Sequence, residues 1–239
     1  MLGTLSALEI GVASGMLLVG STVISTVGFG IGMSATPVML LVLEPQTVVV
    51  VVNTVSLVLL VLIIYQTRAH LPVREMTRVS VAGLLAVPVG VLFLSSASAT
   101  VLRISITALI IVLTVVTALN VQLKIPKPRF AGPAVGFIVA LMLTSLGIGG
   151  PLMVLFLLTR KWSRHAVRGG LSLYFLAVEV SAVVGYGVAG LFTQERIALI
   201  LINVVPVVAG FGLATLLLRR MNERVFRLAT MTVIIATSA

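Results

Sequence analysis

The chain has 239 residues, of which 59% are hydrophobic and 9% are charged, and its formal net charge is +10. This composition leaves too little polar surface to cover a soluble domain, so it excludes a water-soluble globular protein and predicts a multi-pass membrane protein. The sequence contains no cysteine, which excludes disulfides and thiol catalysis, and two histidines are too few for a histidine metal cluster. We therefore expect neither a metal nor a cofactor.

The first apolar segment, residues 8–43, is interrupted by glycine and hydroxyl residues in the stretch STVGFGIGMSATP, residues 25–37. We predict a hairpin of two helical arms, the second beginning at about Met33, because non-helical backbone is tolerated at membrane depth only where protein or a cavity surrounds it. The segment lacks a basic leader and a small-residue cleavage site, so we interpret it as part of the mature protein.

Apolar stretches of about 20 residues, the length of a membrane-spanning helix, follow this segment. They cover residues 47–66, 77–94, 101–121, 169–189, 196–218 and 222–239. A second glycine-interrupted segment, residues 131–158, lies between the third and fourth stretches, and its short arm is predicted to begin at Pro151. No stretch shows the polar and apolar alternation of a half-buried strand, so we predict an all-α fold.

Basic residues mark one face of the membrane. All of the 16 Lys and Arg residues except Arg103 and Arg196 lie in the segments 66–78, 122–130, 159–168 and 219–227. Such enrichment is typical of cytoplasmic loops, so we attribute the charge to topology and expect no nucleic-acid partner. All four segments share the cytoplasmic face only if both glycine-interrupted segments return to the side on which they began. We therefore predict two hairpins, with both termini outside.

The chain also repeats itself at a distance of roughly 120 residues. GFGIG at 28–32 matches GIGGP at 147–151, Pro88 matches Pro206, and VLRISITALII from Val101 matches VFRLATMTVII from Val225. We predict a first repeat over residues 1–123, a basic, proline-containing linker over 124–130 and a second repeat over 131–239. Each repeat holds a glycine-broken helical hairpin plus three transmembrane helices, an odd number of crossings, so the two repeats have inverted topology. Inverted repeats with interrupted helices are typical of secondary transporters with a site near the membrane midplane.

The glycines let a ligand approach bare backbone, and the N-terminal ends of the short arms favour an anion. The candidate substrate-binding residues are Gly28, Gly30, Gly32, Ser34, Asn53, Gly147, Gly149, Gly150, Arg168 and Ser172. Further hydroxyl donors are expected at Thr36, Thr144 and Ser145. Small residues are also ordinary packing residues between transmembrane helices, but two clusters at matching repeat positions favour a site.

Glu179 lies midway along the stretch 169–189, where an ionised carboxylate is costly and a functional role is the first hypothesis. We predict that it carries a coupling proton. The alternative is structural: Glu179 ties helices together through Tyr186 or a carbonyl of the second hairpin. For Arg168, the alternative to binding an anion is that its side chain extends to the membrane interface.

The glycine motifs resemble those of the sulfite exporter TauE/SafE family of membrane transporters. That family's pattern is G-x-G-G-G followed after four residues by proline; here Ile31 replaces one glycine before Pro37, and Pro151 comes early in the second copy. The stretch RHAVRGGLS, residues 164–172, is also similar to the family. The resemblance implies a secondary active transporter, an exporter of small sulfur-containing or organic anions such as sulfite or sulfonates, driven by a proton or other ion gradient in a prokaryotic inner membrane.

The sequence itself contains no nucleotide-binding loop, which agrees with transport without ATP. It also contains no nucleophile paired with a base, so we expect no enzyme. Two alternatives stay open: a passive small-anion channel, which shares these features, and a non-transporting membrane scaffold.

Overall fold

The computed structural model describes residues 5–118, 128–160 and 162–220, and within these residues every regular element is helical. The α-helices are α1 (Ala7–Val27), α2 (Ile31–Met39), α3 (Pro45–Thr67), α4 (Val73–Ser96), α5 (Ala99–Ala118), α6 (Pro128–Leu146), α7 (Gly150–Leu158), α8 (Arg164–Val188) and α9 (Gln194–Arg220). The predicted span 222–239 and residues 124–127 of the predicted linker lie outside the described residues.

Five of these helices, namely α1, α3, α4, α8 and α9, are long and apolar enough to cross a membrane. Four of the predicted stretches coincide with α3, α4, α8 and α9 to within a few residues, and the stretch 101–121 coincides with α5. For the residues that the structure describes, the prediction of an all-helical fold is therefore confirmed, and the long apolar helices agree with a multi-pass membrane protein.

Helix α8 begins five residues earlier than predicted because a serine caps it. The hydroxyl of Ser163 accepts a hydrogen bond of 3.3 Å from the amide of Ala166, which satisfies one of the free donors of the first turn. This cap lets the helix begin at Arg164, so Arg164 and Arg168, which precede the apolar stretch, are helical as well. Helix α1 begins in the same manner, with Ser6 and Glu9 bonding each other's backbone amides at 3.2 and 2.7 Å.

The first glycine interruption separates α1 from α2. Gly28 and Gly30 have φ angles of 96° and 105°, a conformation that costs little only for glycine. The chain then folds back on itself, because a Cβ atom placed on Gly20 of α1 would lie 3.0 Å from Ile31 and 3.1 Å from the hydroxyl of Ser34 in α2. Helix α2 begins at Ile31, two residues before the predicted start.

The second interruption separates α6 from α7. Gly147 has a φ of 74°, and α7 begins at Gly150, one residue before the predicted start. Here too the short arm returns along the long one, since a Cβ atom on Gly132 of α6 would lie 3.2 Å from the ring of Phe156 in α7.

Hydrogen bonds from two arginines define the ends of the bundle. Gln66, at the end of α3, accepts a hydrogen bond of 3.2 Å from Arg168, near the start of α8. We call this the basic end, because the basic segments 66–78 and 159–168 lie there. At the opposite end, the guanidinium of Arg196 at the start of α9 donates to Gln46 and Thr47 at the start of α3, at 3.2 and 3.0 Å.

Both interrupted segments return to the end of the bundle at which they begin. Arg168 donates to the carbonyl of Ser25, so α1 points its C-terminus toward the basic end, whereas Glu44, after α2, lies 4.0 Å from Arg196 at the opposite end. The second segment begins and ends at the basic end, because α6 runs parallel to α4 and α7 is followed directly by the start of α8. These contacts have the geometry of two hairpins.

We predict that the basic end faces the cytoplasm. Against the cysteine-free background, Ala69→Cys and Ser163→Cys, both exposed at the basic end, should resist an impermeant thiol reagent added from outside. Ser98→Cys, exposed in the connection between α4 and α5, is the matched control and should be labelled. External labelling of Ser163→Cys in intact cells would contradict this topology.

Candidate functional site

The tips of the two hairpins touch each other at glycine residues. A Cβ atom on Gly32 would overlap the carbonyl oxygen of Gly147, and one on Gly150 would lie 2.9 Å from the side chain of Phe29. Any side chain at Gly32 would therefore force the backbones of the two tips apart.

The tips enclose one side of a cavity of about 20 Å³. Its lining residues are Ile24, Phe29, Gly30, Ile31, Gly32, Met33, Asn53, Leu143, Gly147, Ile148, Gly149, Gly150, Phe175 and Glu179. A water molecule needs roughly 10–15 Å³ of such space, so a larger anion can enter only if the tips move apart.

Two helix N-termini point into this cavity from the hairpin tips. The N-cap residues of α2 and α7 are Gly30 and Gly149, which have no side chain with which to cap the first turn. The first amides of each helix have no acceptor within the helix, and the helix dipole adds a partial positive charge at the same place. This arrangement favours a negatively charged ligand.

Asn53 of α3 holds the second hairpin from the other side of the cavity. Its Nδ2 donates to the carbonyl of Leu143 at 3.0 Å and to the hydroxyl of Tyr186 at 2.9 Å, and Tyr186 donates to the carbonyl of Thr144 at 2.7 Å. Leu143 and Thr144 belong to the last turn of α6, whose carbonyls lack amide donors within the helix, although the carbonyl of Leu143 also accepts a hydrogen bond of 2.9 Å from the amide of Gly147. The Oδ1 atom of Asn53 is buried without a hydrogen-bond partner.

Glu179 is 3% exposed and lines the cavity. Its Oε2 atom is hydrogen-bonded to the hydroxyl of Ser56 of α3, which also lies 2.9 Å from the carbonyl of Asn53. Tyr186 bonds Asn53 and Thr144 instead of Glu179. Among the described residues, no basic side chain forms an ion pair with Glu179.

The structure brings six of the ten candidate substrate-binding residues to the cavity wall: Gly30, Gly32, Asn53, Gly147, Gly149 and Gly150. Gly28, Ser34, Arg168 and Ser172 are not part of that wall. The predicted hydroxyl donors bond their own helices: Ser34 donates to Gly30, Thr144 to Ala140 and Ser145 to Leu141, at 2.7, 2.8 and 2.6 Å. Thr36 is buried with no partner for its hydroxyl.

Sequence reasoning missed Ser56 and Phe29. Ser56 follows Asn53 by three residues, which places the two on one face of α3, so the helical spacing was a usable signal. Phe29 stands inside the glycine motif, where we considered only the glycines.

We predict that Tyr186 stabilises the second hairpin. Tyr186→Phe leaves the carbonyl of Thr144 without its donor and Asn53 without one acceptor, in a fully buried place, and should lower the free energy of unfolding by about 1–3 kcal/mol. Tyr65→Phe is the matched control, because Tyr65 is 66% exposed. Thermal unfolding of the purified protein in detergent measures both. Equal midpoints for the two variants would show that the Tyr186 hydroxyl contributes nothing.

Comparison with known proteins agrees with these features. The family model described as Sulfite exporter TauE/SafE matches residues 10–239. No curated protein and no solved structure matches the chain. Because the family match takes in both hairpins, the cavity and the surrounding spans, the chain belongs to the sulfite exporter TauE/SafE family of membrane transporters.

Proposed function

We propose that this protein is a secondary active transporter that exports small sulfur-containing or organic anions, such as sulfite or sulfonates. One observation carries the proposal: the N-termini of α2 and α7, supplied by two different hairpins, meet in one cavity. Amides from both tips would bind the anion from two directions, in a site that water reaches poorly. The family is one of transporters, and we propose no enzymatic activity.

In this proposal the substrate contacts come from Gly30, Gly32, Gly147, Gly149 and Gly150 through their backbone, and Asn53 positions the second tip. The cavity is too small for sulfite in the conformation described, so transport requires the tips to separate toward one end of the bundle and then toward the other. We propose that this motion is the alternating access of a secondary transporter, in a prokaryotic inner membrane.

We also propose that the two halves, residues 1–123 and 131–239, are inverted repeats joined by the linker 124–130. Paired close approaches support it. A Cβ atom on Gly90 of α4 would overlap Thr144 and approach Leu141 of α6, while one on Gly210 of α9 would overlap Ser21 and approach Leu18 of α1. Helix α4 thus packs on α6 as α9 packs on α1, which is what exchanging the two halves would produce.

The coupling ion in this proposal is a proton on Glu179. The hydroxyl of Ser56 has one hydrogen, yet it lies between two acceptors, the carbonyl of Asn53 and Oε2 of Glu179. Both contacts are hydrogen bonds only if Glu179 is protonated and donates to Ser56, which in turn donates to Asn53. Loss of that proton breaks the contact between Glu179 and Ser56, next to Asn53, which holds the second hairpin.

Flux in proteoliposomes tests the proposed function. An inward or outward pH gradient should drive accumulation of labelled sulfite against its own concentration gradient. A protonophore should abolish this accumulation. Sulfonates and a monovalent cation serve as comparison substrates. Sulfite flux that only dissipates its own gradient would favour the passive channel, and the absence of flux for every anion would favour the scaffold.

A further inference from the structure

Arg168 is a buried cation outside the cavity. It is 2% exposed, and its Nη2 donates to the carbonyl of Ser25 at 2.6 Å and to Oε1 of Gln66 at 3.2 Å, both uncharged acceptors. In the part of the chain that the structure describes, the ion pair present joins Arg196 to Glu44, and none involves Arg168. Its Nε also has no hydrogen-bond partner. A buried charge in such surroundings is costly unless an opposite charge accompanies it.

Two serines next to Arg168 in the fold carry buried hydroxyls. Ser172 follows Arg168 by one helical turn and lies on the same face of α8, and its fully buried Oγ has no partner. Ser25, whose carbonyl Arg168 binds, also has a buried hydroxyl without a partner. A guanidinium N–H and hydroxyls without partners are groups that can donate to an oxyanion.

This cluster is separate from the cavity between the hairpin tips. Ile24 and Phe175 line the cavity. Ser25 follows Ile24 by one residue and Ser172 precedes Phe175 by three, so both serines lie on the side of the basic end. Glu179 is roughly 16 Å from Arg168 along α8, at about 1.5 Å per residue. An anion that enters from the basic end would therefore reach Arg168 before it passes Ile24 and Phe175.

We propose that Arg168, Ser172 and Ser25 form a second binding site for a small oxyanion, at which the anion pauses before it enters the cavity. The proposal rests on the transport function proposed above and adds a site to it. The competing role is structural: Arg168 caps the C-terminal carbonyls of α1, where a cation is favourable in any case. If Arg168 only caps α1, the effect of its replacement on the KM for sulfite should not depend on the membrane face from which the anion arrives.

The KM for sulfite, measured from each face of the membrane, separates the two roles. In vesicles of known orientation, Arg168→Gln should raise the KM about tenfold or more when sulfite is supplied at the basic end, and leave it unchanged from the opposite end, because charge-assisted hydrogen bonds are lost at the entry site alone. Arg168→Lys keeps the charge and should raise it less. An unchanged KM, or an equal increase from both faces, would overturn the second site.

Ser172→Ala keeps the test decisive if Arg168→Gln fails to fold. The Ser172 hydroxyl makes no hydrogen bond in the structure, so its removal should leave thermal stability unchanged while it raises the basic-end KM severalfold. An unchanged KM in a folded Ser172→Ala protein refutes the site.

Binding of labelled sulfite by equilibrium dialysis gives an independent count. The wild type should bind two sulfite ions per chain, and Gly149→Leu, whose side chain would collide with α6 and displace the second tip, should retain one. One ion in the wild type would overturn the second site. Wild-type protein that moves no sulfite would overturn the proposed function instead, so the two failures are distinguishable.

Discussion

Gly32→Ala should reduce sulfite transport at least about tenfold, although it adds a single methyl group. That methyl would overlap the carbonyl oxygen of Gly147 and push the two hairpin tips apart. Overpacking of this kind costs typically about 1–3 kcal/mol, which corresponds to a factor of roughly 5 to 150 in an equilibrium constant, and an overlap with backbone belongs at the upper end of that range. The separation also redirects the amides of α2 and α7, on which the proposed anion site depends. Initial rates of labelled sulfite flux measure the effect.

Gly15→Ala and Gly212→Ala are matched controls for this prediction. Both glycines lie within helices, and a Cβ atom on either would meet nothing within 4 Å. Their transport rates should equal that of the wild type. If Gly32→Ala transports as well as these two variants, the tip contact is packing without a role in transport. Gly149→Leu extends the series, because its Cβ would lie 2.8 Å from the carbonyl of Val139.

Glu179→Gln should separate anion movement from its driving force. Glutamine keeps the size and the hydrogen-bonding capacity of the side chain, so it can still donate to Ser56, but it cannot release a proton. The variant should exchange labelled sulfite across a membrane at a rate near that of the wild type, yet lose accumulation driven by a pH gradient. If a proton and the anion favour each other's binding, this loss follows from the reciprocity of coupled equilibria.

Glu195→Gln provides the matched control, because Glu195 is an exposed carboxylate at the start of α9. It should keep both exchange and accumulation. If Glu179→Gln accumulates sulfite as well as the wild type, with the same pH dependence, another ion drives transport. The role of Glu179 is then structural.

The sequence predicted those features that depend on local chemistry. Gly28, Gly30 and Gly147 adopt positive φ angles, and the helices break where these residues cluster, because only glycine tolerates such backbone at little cost. Span lengths followed from apolar runs of about 20 residues. The caps at Ser6 and Ser163 were also readable from local sequence, since serine is a preferred residue before the first turn, but the apolar pattern alone located the helices.

Contacts between distant residues were beyond the sequence. Ser56 and Glu179 are 123 residues apart in the chain, and Arg168 meets Ser25 across 143 residues. Apolar periodicity indicates which face of a helix is buried, but it does not indicate which partner covers that face. Ser34 shows a second limit: a serine inside a helix readily bonds the carbonyl four residues earlier, so its presence near the glycines did not place its hydroxyl in the cavity.

Helices from the first part of the chain pack on helices from the second part, and this affects how the chain assembles during synthesis. The small-residue surface of α1 around Ser21 is covered by Gly210 of α9, and the surface of α4 at Gly90 is covered by Thr144 of α6. When the ribosome has delivered only the first half to the membrane, both surfaces face lipid without their partners. We therefore expect that the N-terminal half does not fold stably alone, and that both interfaces close only when α6 and α9 insert. Residues 1–123 produced alone should be degraded, and co-production of residues 124–239 should rescue them.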